Sequence, residues 1–266
     1  MQFLEGAMST YRASNAEDRL HEIHSRVNQS GRISVDELTQ QLGLPKETIT
    51  ADLQTLAERR KIVLTYNGAA SLTVGMYDLS LALRAQRQSE EKEQIGLFCA
   101  GLIENNDTIF LDSSSTAIAI APYLKNLANL TVISNCLRSI HQLPNKPKWR
   151  ILMPGGLYQR ETDSLVGLKD LEDLTKAQID KGFFGAHGVS VTQGITDVSE
   201  EEARVKQLFV GLSRQVIVAI DSTKWNQIGR YPFAQLEQVS LIVTDLDAPK
   251  EVLDPVRAKG VEIQQV

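Results

Sequence analysis

The sequence predicts an α/β protein in two parts, a small N-terminal helical domain followed by a larger domain built on a mainly parallel sheet. Three observations carry this. Short apolar stripes at helical spacing, each with start and stop signals, fill residues 16–58. Asn67-Gly68, a hairpin signal, comes just after them. Beyond about residue 95 short apolar runs alternate with helical segments, as strands joined by crossover helices do.

In the first part, Ala16, Leu20, Ile23 and Val27 share one face of a helix over Asn15 to Val27, with Arg19 and Arg26 on its polar side. Ser34-Val35-Asp36-Glu37 matches a capping box, Leu38 and Leu42 give a short second helix its stripe, and Gly43 ends it. Pro45 suits the first turn of a third helix whose Ile49, Leu53 and Leu56 lie together. Two short helices joined by a tight turn make a helix-turn-helix candidate, with Lys46, Glu47, Thr50, Ala51 and Gln54 facing the DNA major groove. Ile62 to Leu72 would form a small wing, with Arg59, Arg60 and Lys61 at its entrance. A three-helix module that only dimerises or binds protein remains an open alternative. Eight basic residues stand against nine acids over residues 1–75, so phosphate neutralisation must come from local clustering.

Gly75 to Gln94 reads as an exposed helix bridging two domains. After it, strands are expected at Thr108 to Asp112, Leu130 to Ile133, Arg150 to Met153, Gly182 to Gly185, Gln215 to Asp221, Leu241 to Asp245 and Val261 to Gln264. Helices are expected at Glu91 to Ile103, Thr116 to Leu124, Cys136 to Leu143, Leu168 to Ala177, Glu200 to Ser213 and Pro249 to Lys259. The domain division is a flexible arm (1–15), a winged helix-turn-helix domain (16–74), a linker helix (75–94) and an effector domain (95–266).

A net charge of −5 argues against coating nucleic acid by bulk charge. Cys99 and Cys136 lie in apolar surroundings without metal-ligand or disulfide spacing, which fits a reducing cytoplasm. No apolar run reaches the roughly 18 residues of a membrane span, and Met1 to Ala16 lacks the core of a secretory signal.

Candidate chemistry gathers at the expected carboxyl ends of strands, where ligands sit in such folds. Ile109 to Leu111 breaks into Asp112-Ser113-Ser114-Ser115-Thr116, and hydroxyls there would converge with the N–H groups of a helix start on one point. That corner is an anion site or a plain capped turn. Ser134-Asn135, Gly155-Gly156, His187-Gly188 and Asp221 to Lys224 fall at further strand ends. Asn135 would donate to sugar hydroxyls or close an Asx turn, and the glycine pair would admit a ligand or simply turn the chain. Ser199 to Glu202 reads as a second capping box. Glu202 and Lys206, four apart on one helix, form either a ligand pair or a solvated ion pair. No Walker-type, dinucleotide, metal-binding or nucleophile-elbow motif is present, so neither a catalytic set nor a metal or cofactor site is assigned.

These residues resemble the DeoR family of bacterial transcriptional regulators from about Ala16 onward. The likeness rests on Val35 to Leu38, Thr48-Ile49 with Asp52-Leu53, and Asn67-Gly68-Ala69 in the first part. In the second it rests on Phe110 to Ser113, Ile133 to Asn135, Gly155-Gly156, Leu165 to Gly167, Phe183 to Ser190, Gly194 to Thr196, Glu202 to Lys206 and Asp221 to Lys224. Thr50 and Ala51 stand where that family usually carries two arginines, Leu64 and Asn67 where its wing carries Arg and Gly, and Ser114 and Ser115 where its sensor loop has glycine and threonine. The resemblance implies a sensor domain related to ribose 5-phosphate isomerase that binds a phosphorylated sugar without converting it. It implies that Ser113, Ser114, Ser115 and Thr116 hold phosphate, that Asp112, Ser134, Asn135, Gly155, Gly156, Glu202 and Lys206 complete the site, and that Lys224 supplies charge. Lys46, Glu47, Thr48, Thr50, Ala51, Gln54, Arg59, Arg60 and Lys61 would meet operator DNA. The expected protein is a cytoplasmic repressor, a homodimer or homotetramer, released from DNA by its effector. A sugar phosphate isomerase with an appended helical domain is the rival.

Overall fold

The computed structural model describes residues 16–30, 32–59, 61–65, 68–71, 81–160, 162–169, 174 and 178–266. The expected arm, Arg60, Asn67, the end of the wing, the first residues of the linker and most of the expected Leu168 to Ala177 helix lie outside them. The chain divides into two units, the second starting at Leu81.

The first unit contains helices α1 (Ala16–Ser30), α2 (Val35–Leu42) and α3 (Lys46–Glu58). It also contains strands β1 (Arg32–Ser34), β2 (Ile62–Thr65) and β3 (Gly68–Ser71), which pair antiparallel in the order β1-β3-β2. The two wing strands are joined by β1, a third strand the sequence did not announce. Ser34 caps α2 in both directions: its Oγ accepts from the Glu37 amide at 3.1 Å, and its amide donates to the Glu37 carboxylate at 2.8 Å. Gly43 closes the helix in the left-handed conformation at φ 65°, where a side chain would be strained. Leu20, Ile23, Val27, Leu38, Ile49, Leu53 and Leu56 form the core of this unit. Ser34→Ala is expected to destabilise it by about 1 kcal/mol through loss of the cap, visible as a lower urea midpoint.

The second unit opens with α4 (Leu81–Gln86) and α5 (Ser89–Gly101), so the described part of the linker helix expected over Gly75 to Gln94 is broken, and the helix expected from Glu91 to Ile103 begins at Ser89. Gln88, left-handed at φ 48°, turns the corner between α4 and α5. There follow β4 (Thr108–Leu111), α6 (Ser115–Ile118), β5 (Thr131–Ser134), α7 (Leu137–Gln142) and β6 (Arg150–Leu152). Strands β7 (Gly155–Gln159) and β8 (Ser164–Lys169) form a separate antiparallel ribbon. Leu168 and Lys169 therefore extend a strand instead of starting the expected helix. Next come β9 (Ile179–Phe184), β10 (Gly188–Ser190), β11 (Gly194–Asp197), α8 (Glu200–Leu212) and β12 (Ser213–Ala219). The chain ends with β13 (Tyr231–Ala234), β14 (Leu241–Thr244), α9 (Lys250–Arg257) and β15 (Glu262–Gln265). Strands β10, β11 and β13 make a small antiparallel sheet.

All seven expected strands enter one parallel sheet, ordered β15-β14-β12-β9-β4-β5-β6. Successive side chains alternate between its faces, as strand geometry requires. Ile109, Leu111, Val132, Phe183, Ile217 and Val243 pack with Ile95 and Cys99 of α5. Phe110, Ile133, Phe184, Val218 and Ile242 pack with Phe209 of α8 and Leu253 of α9. Phe110 stacks on Phe209 with ring centroids 3.8 Å apart. From β4 the chain runs outward through β5 to β6, and from β9 outward through β12 and β14 to β15. The reversal falls between β4 and β9, the point in an open α/β sheet where loops diverge and leave a crevice at the carboxyl ends.

Candidate functional site

Asp112 directly follows β4 and is 1% exposed. Its Oδ1 accepts from the Ser114 amide at 2.8 Å and its Oδ2 from the Gly185 amide, just past β9, at 2.9 Å. The carboxylate thus bridges the two central strand ends. Gly185 leaves the required room, since a Cβ there would stand 2.2 Å from Ser114 Oγ. Lys206, one turn along α8 from Glu202, lies 3.1 Å from Asp112, donates to the Gly185 carbonyl at 2.8 Å and to Asp197 Oδ2 at 2.6 Å. Burial alone would push the ammonium down, but Asp112 and Asp197 outweigh it and hold Lys206 well above the usual lysine value. Burial likewise pulls the Asp197 carboxyl up, and Lys206 overrides it, leaving that group below the usual range. Glu202 and Lys206 are both buried, which rules out the solvated ion pair.

Ser199 caps α8 by accepting from the Glu202 amide at 3.3 Å, yet the second capping box is only half made. The Glu202 carboxylate turns inward instead, accepting from Ser113 Oγ and Ser164 Oγ, both at 2.5 Å. Ser114 caps α6 through Ala117 at 3.1 Å. The expected helix over Thr116 to Leu124 shortens to the single turn of α6 and a 3-10 turn at Ala121–Tyr123, so its dipole adds little to an anion site. Ser115 is half-buried and Thr116 buried beside them. Ser134 Oγ accepts from the Cys136 amide at 3.1 Å. Asn135, fully buried, donates to the Leu165 carbonyl at 3.1 Å, while its Oδ1 has no partner among the described residues. A buried acceptor left this way costs free energy unless something fills it, so a ligand hydroxyl is a natural partner.

Gly155 and Gly156 lie within β7, not in a turn. Gly156 is pressed against the ribbon partner, where a Cβ would meet the Val166 carbonyl at 2.6 Å. No hydrogen bond among the described residues ties either glycine to the Asp112 group.

A second polar group surrounds Asp221, which follows β12. Lys92 of α5, 5% exposed, lies 3.7 Å from Asp221 and donates to the carbonyls of Arg84 at 2.7 Å and Arg87 at 2.5 Å. Burial, opposed by Asp221 and reinforced by Lys224 and Arg84, brings its pKa down to about 8. Half-buried Lys224 ends the 3-10 turn over Ser222–Lys224. His187 is held at about 4, first by burial and then by Lys224, with Lys206 and Arg84 adding to the effect and Asp197 opposing it. Asp197 beside Lys206, Ser164 beside Glu202 and Lys92 beside Asp221 are polar residues of these two groups that the sequence did not single out. Lys92 sits in a stretch so rich in charge that one buried lysine leaves no mark on the pattern.

The DNA-reading candidates belong to the first unit. Lys46, Glu47, Thr50, Ala51 and Gln54 form an exposed stripe on α3, with Thr48 half-buried beside it. Its cations already have partners: Lys46 pairs with Asp36, and Arg59 meets Glu17 through two contacts at 2.9 and 2.7 Å. Such exposed pairs contribute only about 0–1 kcal/mol, so DNA phosphates can replace the carboxylates at little cost. Lys61 is exposed. Arg19 is different in kind, clamping the buried Asp52 at 2.5 and 2.8 Å and so fixing α1 to α3.

A helix-turn-helix unit followed by an α/β unit with buried polar groups at its switch point is the layout of a two-part regulator. The chain belongs to the DeoR family: a DeoR-like helix-turn-helix domain matches residues 19–74 and a DeoR C terminal sensor domain matches residues 87–246. It is 32% identical over 93% of its length to the HTH-type transcriptional repressor GlcR of Bacillus subtilis, covering 95% of that protein. It is 27% identical over 90% of its length to the glycerol-3-phosphate regulon repressor of Escherichia coli, covering 94% of it. Ribose 5-phosphate isomerase from Methanocaldococcus jannaschii aligns with 52% of this chain and 54% of its own at 14% identity and a TM-score of 0.38, a likeness too slight to bear on function. Among the described residues no helix is long and apolar enough to cross a membrane.

Proposed function

We propose that the protein is a repressor of a carbohydrate uptake or catabolism operon, released from its operator when a phosphorylated sugar occupies the carboxyl-end crevice of the second unit. The observation that carries this reading is the convergence of Asp112, Asn135, Glu202 and Lys206 on the switch point of a sheet whose chain also bears a helix-turn-helix. Carboxylates and a buried amide suit a polyol, and Lys224 with its neighbouring cations suits its phosphate. The relatives' names support the same direction, since they are regulators and one is named for glycerol 3-phosphate. A dimer or tetramer would place recognition helices on half-sites one or more helical turns apart.

Gel-shift titration of upstream DNA with a panel of phosphorylated and plain sugars tests this. DNA binding that weakens with salt, and release by one phosphorylated sugar with an affinity change of about 5- to 150-fold, is the expected result. Absence of DNA binding at moderate salt would remove the repressor. Equal response to the unphosphorylated sugar would remove the phosphate, and turnover of pentose phosphates would make the protein an enzyme.

A further inference from the structure

The edge of a sheet is a template for further pairing, and folded chains guard it with charge, proline or cover. In the second unit the guards are visible. The main sheet ends at β6, where Arg150 is exposed just after Lys146, Pro147 and Lys148, and at β15, which opens on exposed Glu262. The small sheet ends at β13, with exposed Pro232, and at β10, whose residues are buried. β7 has none of these guards. Gly155-Gly156-Leu157-Tyr158-Gln159 holds no charge and no proline, its first four residues are exposed, and among the described residues its backbone pairs only with β8. Leu157 is 70% exposed and Tyr158 48%. Val166 anchors β8 in the core, whereas β7 is turned to solvent.

This strand fits a second copy of itself. Set antiparallel across a two-fold axis through Leu157, it brings Leu157 opposite Leu157 of the other copy, Tyr158 opposite Gly156 and Gln159 opposite Gly155. Each large side chain off the axis meets a glycine, the self-complementarity that a two-fold interface requires, and no like charges are opposed. The irregularity in the ribbon falls on β8, where Gly167 is left-handed at φ 55°, so β7 stays regular along its outer edge. Gly156 must lack a side chain for the ribbon's own sake, and the room this leaves is open to a neighbour's ring. Tyr158 is already fixed: its hydroxyl donates to Asp163 Oδ1 at 2.8 Å, so its ring loses little freedom on docking.

We infer that two copies of this chain pair through β7, edge to edge, and so join their ribbons into one four-stranded antiparallel sheet. An isolated two-stranded ribbon is marginal in water, and the added strands give it the width that antiparallel sheets need. The inference gives a surface to the dimer or tetramer proposed above and rests on that part of the reading, not on the identity of the effector. It also sets the second copy beside the polar cluster. β8 begins at Ser164, which donates to Glu202 at 2.5 Å. The Leu165 amide donates to the Asn135 carbonyl at 2.7 Å, and the Leu165 carbonyl accepts from the Asn135 side chain at 3.1 Å. A ligand that re-aims Asn135 or Glu202 therefore acts on the ribbon that the second copy pairs with.

The test uses the full chain. Leu157→Cys sets one thiol of each copy at directly opposed positions, whose Cα atoms lie about 4.5–5.5 Å apart in an antiparallel pair and so within disulfide reach. Cys99 and Cys136 are buried and do not compete. With oxidised glutathione, dilute Leu157→Cys is expected to form a covalent dimer, and Leu246→Cys, on an equally exposed loop after β14, is not. Sedimentation velocity supplies the second arm. Leu157→Lys and Leu157→Glu each set like charges across the axis and are expected to self-associate about tenfold or more weakly than the parent, while mixing the two restores association. Thermal melting of each variant verifies that it folds. If the parent self-associates but Leu157→Cys gives no covalent dimer, or the mixed Lys and Glu variants associate no better than either alone, the inference falls and the repressor reading stands. If the parent stays monomeric both free and on DNA, the inference and the paired half-sites fall together.

Discussion

Lys206→Met is expected to destabilise the second unit by about 3–5 kcal/mol, the cost of breaking a buried ion pair from one side. The methionine keeps the length of the side chain and removes the charge. Asp112 and Asp197 then face each other across an apolar gap, and the Gly185 carbonyl loses its donor. For a unit of this size the loss corresponds to a melting temperature lower by roughly 6–20 °C. Differential scanning calorimetry checks it. Adding Asp197→Asn to Lys206→Met is expected to recover part of the loss by removing one of the stranded charges. A melting temperature unchanged by Lys206→Met would mean that the ammonium is a passenger and that the two central strand ends are joined by the Asp112 backbone contacts alone.

The second large effect is on DNA. Ala51→Glu is expected to lower operator affinity by roughly 1–3 kcal/mol, the scale of a base contact at the major-groove edge. Ala51 is exposed on α3 between Glu47 and Gln54, and glutamate is a good helix former, so the unit keeps its fold. The carboxylate would face the floor of the groove and its phosphates. Fluorescence anisotropy against an operator selected from random DNA measures the change, with circular dichroism as the folding check. Parent-like affinity in Ala51→Glu would show that α3 does not present this face to DNA.

The sheet was legible because its strands are short apolar runs with both faces buried, and such runs announce themselves regardless of what packs on them. Asp112, Asn135, Glu202 and Lys206 were legible for a related reason: each closes or follows an element whose end could be read. The ribbon of β7 and β8 was not legible. Its residues are largely exposed, so Gly155-Gly156 read as a close approach to a ligand or an ordinary turn and Leu168 as a helix start, and the pressure of Val166 on Gly156 explains the glycine. Asp197 and Lys92 were missed for another reason. Lys92 faces Asp221, far along the chain, and Asp197 faces Lys206, nine residues on and past the start of α8, and neither spacing belongs to a helix or strand pattern. The shortness of α6 had a local signal that the expected helix over Thr116 to Leu124 passed over, since Pro122 cannot continue an α-helix and the chain makes a 3-10 turn at Ala121–Tyr123 instead.

The stack of Phe110 on Phe209 ties the oily interior to the polar cluster above it. Phe110 stands two residues before Asp112 and Phe209 three after Lys206, so the ring contact is the pivot on which the acid and the base of the site are hung. Rings of another size at those two places would tilt α8 against β4 and re-aim Glu202 and Lys206 without altering a single polar residue. The aim of the polar cluster can therefore be reset from the apolar layer beneath it, a change invisible to any comparison confined to the polar residues themselves.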